Sequence, residues 1–154
     1  MLAVTGDFWE YWFNPFLAYD ALVCTTNHIV KNNGKLVMGA GIAKDFRDKF
    51  TDLDLKWGNR LNRKKHVLGV MAEQVDGLHR IYAVSFPTKY DWRHPSSIDL
   101  IENSAKVLAG LTDLMGWNRV LMTRPGCGCG GLEWSKVKPV IAPLLNDRFV
   151  VIDK

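Results

Sequence analysis

The sequence predicts a layered α/β domain with a central mixed, largely parallel sheet and helices on both faces. Short apolar runs alternate with segments of helical period along the chain, which is the pattern of a sheet covered by helices. Two glycine-rich loops each follow an apolar run and precede a helix-like one, where open α/β sheets carry their ligands. The length of 154 residues, 47% hydrophobic and 23% charged, fits a single domain over 1–154 with a core of its own.

The first twenty residues, MLAVTGDFWEYWFNPFLAYD, are rich in aromatics. They read as a first strand followed by an insertion, packed either against a ligand or into the core. ALVCTTN from Ala21 reads as a buried strand, and GIAKDFRDKF from Gly41 as a helix opened by glycines. HVLGVMAE from His66 and RIYAVSFP from Arg80 are β-like neighbours separated by QVDGLH, whose Asp-Gly is a turn signal. SSIDLIENSAKVLAGLTDLM from Ser96 has apolar residues at helical spacing (Ile98, Ile101, Ala105, Leu108, Leu111), a serine to cap its first turn and Gly116 to end it. RVLMTRP from Arg119 is a strand, WSKVKPVIAPLL a helix complicated by Pro139 and Pro143, and RFVVID a last strand.

Lys+Arg exceed Asp+Glu by 20 to 16, so the net charge is +4 and the pI near 9.0. That is a mild preference for polyanions, too weak for a module that only binds nucleic acid. No apolar stretch approaches the roughly 18 residues of a membrane helix, and no basic-then-apolar leader opens the chain. The expectation is a cytoplasmic protein (host cytoplasm if phage-encoded), monomeric, with no membrane partner.

Three cysteines, Cys24, Cys127 and Cys129, do not make a disulfide framework. A zinc site needs about four ligands, usually in spaced pairs, and only Cys127-x-Cys129 and scattered His28, His66, His79 and His94 are on offer. No metal and no cofactor is expected, and each cysteine is read as a small buried apolar residue.

VMGAGIA offers Gly39 and Gly41 just before a helix, so that backbone N–H groups can approach an anion without a Cβ in the way. GCGCGGL, Gly126 to Leu132, repeats the arrangement. One such loop is more often a tight turn; two in one small domain suit a diphosphate. Neither is a Walker loop, and the dinucleotide spacing G-x-G-x-x-G is absent from VMGAGIA.

Four blocks, DALVCTTN, VMGAGIAKDFRDKF, SFPTKYDWRHPSS and PGCGCGGLEWSKVKP, span most of Asp20 to Pro139. With them the chain resembles the macrodomain family, which binds ADP-ribose. Within it the likeness is to the DNA ADP-ribosyl glycohydrolase macrodomains of the DarG antitoxin type, with the TARG-like glycohydrolases next. The resemblance implies a three-layer α/β/α fold. It also implies ADP-ribose or an ADP-ribosylated substrate as ligand, held by Met38, Gly39, Ala40, Gly41, Ile42, Ala43 and Thr88 and by Gly126, Cys127, Gly128, Cys129, Gly130, Gly131 and Leu132.

By the same resemblance Asn27 lies against the distal ribose and Lys89 acts at its anomeric carbon, by attack or by electrostatic stabilisation. Asp7 would accept from the adenine amino group, and Trp92 and Arg93 would flank the substrate. The implied reaction removes ADP-ribose from a target, thymidine in DNA ahead of protein carboxylates, with transient contact to the ADP-ribosylated DNA. A non-catalytic reader and an ADP-ribose 1″-phosphate phosphatase are the alternatives. DarG-type antitoxins carry a second, toxin-binding domain; the chain ends after the macrodomain, so action against a toxin would be by erasure of the mark. Three departures stand out: Gly130 where TARG-like proteins have an aspartate, Cys24 where the DarG group commonly has asparagine, and the insertion HIVKNNGK.

Overall fold

The structure, a computed structural model, describes residues 1–14, 16–76 and 80–153. Its elements are β1 (Leu2–Thr5), α1 (Phe8–Phe13), β2 (Ala21–Thr26), α2 (Gly41–Lys49), α3 (Leu53–Asn62), β3 (Met71–Gln74), β4 (Tyr82–Pro87), α4 (Ile98–Met115), β5 (Val120–Thr123), α5 (Trp134–Ile141) and β6 (Phe149–Asp153). The sheet order is β1-β6-β5-β2-β4-β3. Every pairing is parallel except β3 with β4. The expected mixed, largely parallel sheet is therefore present.

Strand alternation builds two cores. Ala21, Val23, Val84, Phe86, Val120, Met122, Phe149 and Val151 face α4 and α5, which contribute Ile101, Ala105, Leu108, Val137 and Ile141. Leu22, Cys24, Ala83, Leu121, Val150 and Ile152 face the other way, onto Phe8 of α1, Phe46 of α2 and Leu53 and Trp57 of α3. Burial on both faces is why these strands are continuous apolar runs rather than alternating ones.

α4 follows its sequence signals. Ser97 accepts from the Leu100 N–H at its start, and Gly116 closes it in the left-handed conformation at φ 70°. Other boundaries differ from the expectations. The run from His66 enters the sheet only at Met71, because Leu68 (φ 55°) and Gly69 (φ 81°) turn the chain first. WSKVKPVIAPLL is helical only as far as Ile141; Pro139 lies in the last turn and Pro143 beyond it. The QVDGLH turn falls partly outside the described residues, at Gly77 to His79, but Val75 N–H to the Ile81 carbonyl closes its hairpin at 3.0 Å. The aromatic N-terminal stretch resolves into β1 and α1, whose Phe8 is core. No described helix is long and apolar enough to cross a membrane.

Sequence patterns did not announce α3. Gly58 lies in its interior, where glycine costs about 1 kcal/mol relative to alanine. Tertiary packing explains it: a Cβ at Gly58 would collide with the backbone of Gly34 and with the Leu36 nitrogen. The helix thus lies directly on the 30–36 hairpin. Backbone cannot rotate aside as a side chain can, so the clash outweighs the gain in helix propensity. Gly58→Ala is expected to cost about 2–3 kcal/mol, lowering Tm by roughly 4–12 °C in a thermal melt.

Candidate functional site

The strands β2, β4 and β5 are parallel neighbours, so the loops that follow them emerge at one end of the sheet. All the sequence-predicted site residues except Asp7 lie in or beside these three loops.

The first loop runs from β2 to α2. Asn27, 8% exposed, uses its amide on both flanks: Nδ2 donates to the Val37 carbonyl at 3.0 Å, and Oδ1 accepts from the Ile29 N–H at 2.8 Å. The HIVKNNGK insertion is a small hairpin bridged at Val30 and Leu36. Its Leu36 N–H donates to the Asp54 carbonyl of α3 at 2.9 Å. Beyond it Met38 is buried while Gly39, Ala40 and Gly41 are exposed. Ala40 is the N-cap of α2 and supplies no side-chain acceptor, and no acidic residue sits in the first turn. The opening N–H groups of α2 therefore face outward at the positive end of the helix dipole.

The second loop, from β5 to α5, folds on itself through Leu132 N–H to the Gly126 carbonyl at 2.9 Å and Gly131 N–H to the Gly128 carbonyl at 3.3 Å. Its glycines do two jobs. Gly128 and Gly131 face open space, where backbone can meet a ligand. Gly126 and Gly130 are packed: a Cβ on Gly130 would strike the Ser96 hydroxyl and the Gly126 carbonyl. Ser96 N–H donates to the Gly130 carbonyl at 3.0 Å, yet its buried Oγ has no partner in the described structure. Sequence reasoning placed Ser96 only at a helix start and missed this contact, for which spacing offered no signal.

The two loops meet. The Cβ direction of Gly41 (φ 59°) points at Cys129 Sγ, 3.3 Å away. The expectation that each cysteine is buried fails here: Cys24 is buried and Cys127 half-buried, but Cys129 is exposed at this junction. Burial pushes the thiols of Cys24 and Cys127 up. Cys24 lies in the apolar core beneath α2, so its departure from asparagine puts no polar group on the site surface. No group of three or more metal-ligating side chains occurs among the described residues.

The third loop follows β4. Thr88 is buried and tied at both ends, its N–H donating to the Thr26 carbonyl at 3.0 Å and its carbonyl accepting from Ser97 at 2.8 Å. Lys89, half-buried, sends Nζ to the Cys129 carbonyl at 3.4 Å. A cation from the β4 loop therefore sits over the β5 loop. Arg93 binds Asp91 through two hydrogen bonds of 2.9 Å, which hold the Asp91 carboxyl down to about 2. Its guanidinium pairs with Asp91 at the surface, and Trp92 is exposed. Asp7 caps α1, its Oδ1 accepting from the N–H groups of Trp9 and Glu10.

A groove of about 680 Å³ lies elsewhere, at the β3 edge between Lys49, Lys56, Glu73 and Tyr82. It presents no glycine loop, and the start of α3 that lines it at Leu53 carries the acids Asp52 and Asp54. The candidate site is marked by convergent backbone donors rather than by concavity.

No family model matches the sequence. The chain is similar to the DNA ADP-ribosyl glycohydrolase of Thermus aquaticus, 30% identical over 129 residues, covering 82% of this chain and 34% of that protein. It is similar also to that of Mycobacterium tuberculosis, 33% identical over 129 residues, covering 77% and 33%. It thus spans about a third of the length of these curated relatives. Among solved structures, the macrodomain of Thermus aquaticus DarG superposes with a TM-score of 0.79 at 28% identity, over 99% of this chain and 97% of that one. The macrodomain of Mycobacterium tuberculosis DarG gives 0.76 at 24%, over 99% and 98%. Thermosipho africanus DarTG in complex with ADP-ribose gives 0.77 at 21%, over 99% and 41%. In strand order, in glycine loops and in likeness to these proteins, the chain belongs to the macrodomain family and is similar to the macrodomains of DarG.

Proposed function

We propose that the chain is an ADP-ribosyl glycohydrolase that removes ADP-ribose from thymidine in DNA. The observation that carries this reading is the contact of Lys89 Nζ with the Cys129 carbonyl, which sets a cation beside the junction of two anion-accepting loops. A diphosphate lying on the N–H groups of α2 and of the β5 loop would direct its distal ribose towards that cation. The Thermus and Mycobacterium relatives, named as DNA ADP-ribosyl glycohydrolases, support DNA as the carrier of the ADP-ribose.

In the reaction the bond between the ribose anomeric carbon and the base breaks, a water oxygen bonds to that carbon, and the water's proton passes to the departing base. Lys89 acts electrostatically, as a donor stabilising negative charge on the leaving base. A lysine–aspartate pair of the TARG-like kind is not available, since Ser96 and the Gly126 carbonyl fill the space that a side chain at Gly130 would need. Asn27 is a positioning residue that pins the first loop from both sides.

Lys89→Ala is expected to lower kcat on a thymidine-linked ADP-ribosyl oligonucleotide by about 10²–10⁴-fold, with ADP-ribose affinity changed only severalfold. Tight binding without turnover in the wild type would leave a reader, and phosphate release from ADP-ribose 1″-phosphate would identify a phosphatase. Asn27→Ala strands the Ile29 N–H and the Val37 carbonyl. It is expected to cost about 1–3 kcal/mol of stability and to weaken ADP-ribose binding. Turnover lost at unchanged affinity and Tm would instead make the asparagine catalytic.

A further inference from the structure

The surface changes character beyond Lys89. Nine large hydrophobic side chains are exposed among the described residues, and Val67 (61%), Leu68 (40%), Tyr90 (58%) and Trp92 (51%) gather on two segments joined by one histidine. The His28 N–H donates to the Tyr90 carbonyl at 3.1 Å, and the two rings meet edge to face at 5.3 Å. His28 Nε2 donates to the Leu68 carbonyl at 3.0 Å. The 66–69 turn is closed by the Gly69 N–H on His66 Nδ1 at 2.8 Å. Leu68 is held at φ 55°, a conformation disfavoured for a bulky residue, while its side chain faces solvent. Core packing does not account for that strain, and strain of this kind gathers at binding sites.

Charge on this surface is mostly cationic. Arg63, Lys64 and Lys65 are exposed and lead directly into the Val67–Leu68 turn. None of the three takes part in an ion pair among the described residues. The nearby acid, Asp91, is neutralised by Arg93, whose guanidinium also lies 5.4 Å from the Trp92 ring centroid. Exposed aromatic rings on one segment, with free cations leading into the segment that His28 joins to it, suit a strand of stacked bases on a phosphate backbone, for which each ring supplies a sequence-tolerant platform. A protein partner could use the rings as well, so the three unpaired cations are what favour a polyanionic strand.

We propose that the surface formed by Val67, Leu68, Tyr90 and Trp92 binds the single-stranded DNA that flanks the modified base. Trp92 stacks on a neighbouring base, and Arg63, Lys64 and Lys65 meet its phosphates. This deepens the glycohydrolase reading and rests on it for the substrate. Its position follows from the site, because Tyr90 is the residue after Lys89 and the target leaves the ribose beside that lysine.

The test is independent of turnover. Binding of a short unmodified single-stranded oligothymidylate is measured for the wild type, Trp92→Ala, Trp92→Phe and Lys64→Gln/Lys65→Gln, each saturated with ADP-ribose and checked for folding by thermal melt. Trp92→Ala is expected to weaken the oligonucleotide at least about fivefold, with Trp92→Phe recovering most of the loss. The double lysine variant is expected to flatten the salt dependence. ADP-ribose affinity, titrated separately, should stay within about twofold of the wild type. Equal oligonucleotide affinity in the wild type and Trp92→Ala overturns the proposal, as does a parallel loss of ADP-ribose binding. Absent turnover with oligonucleotide binding behaving as expected would sink the glycohydrolase reading while leaving the strand surface standing.

Discussion

The site depends on the pairing of β2 with β4 on one side and β5 on the other. Neighbouring strands lie about 4.8 Å apart, so the loops after β4 and β5 emerge roughly 10 Å apart with β2 between them. That spacing lets Lys89, on the β4 loop, reach the Cys129 carbonyl on the β5 loop across the end of β2. The pairing itself is secured by burial, since Leu22, Val23 and Cys24 are wholly inaccessible and pack helices on both faces. A slip of one residue would exchange the two cores and turn every loop away from its partner.

On this frame the loops are held by polar groups that carry no charge. Asn27 ties both flanks of the first loop, Ser96 props the second, and Thr88 links the third to β2 and α4. Because these bonds engage backbone carbonyls and N–H groups, they fix the main chain rather than side chains. The donors left over, at the start of α2 and around Gly128 and Gly131, are backbone donors too, the kind the proposed diphosphate site requires. The charged contribution is Lys89, and the first turn of α2 carries no acid to oppose an anion.

Much of this was legible before any coordinates. The alternating apolar runs gave the sheet, Ser97 and Gly116 bounded α4, and each of the two glycine loops does lead into a helix. What was missed has particular causes. α3 escaped notice because Gly58, a poor helix former, is there to admit the 30–36 backbone and not to serve the helix. The His66 run looked like one long strand because periodicity does not register a turn made with positive φ at Leu68 and Gly69. Cys129 looked like a buried thiol because exposure in a loop depends on where the loop's partner lies.

The sequence by itself determined the fold class, the two glycine loops that precede helices and the lysine worth testing, since these rest on local periodicity and on the short-range geometry of glycine and helix termini. Tertiary structure alone decided which residues meet. It set Ser96 against Gly130 and so left no room for a carboxylate there. It also brought Val67 and Leu68 to Tyr90 through His28. Those outcomes depend on contacts between residues tens of positions apart, and only the packed sheet sets such distances.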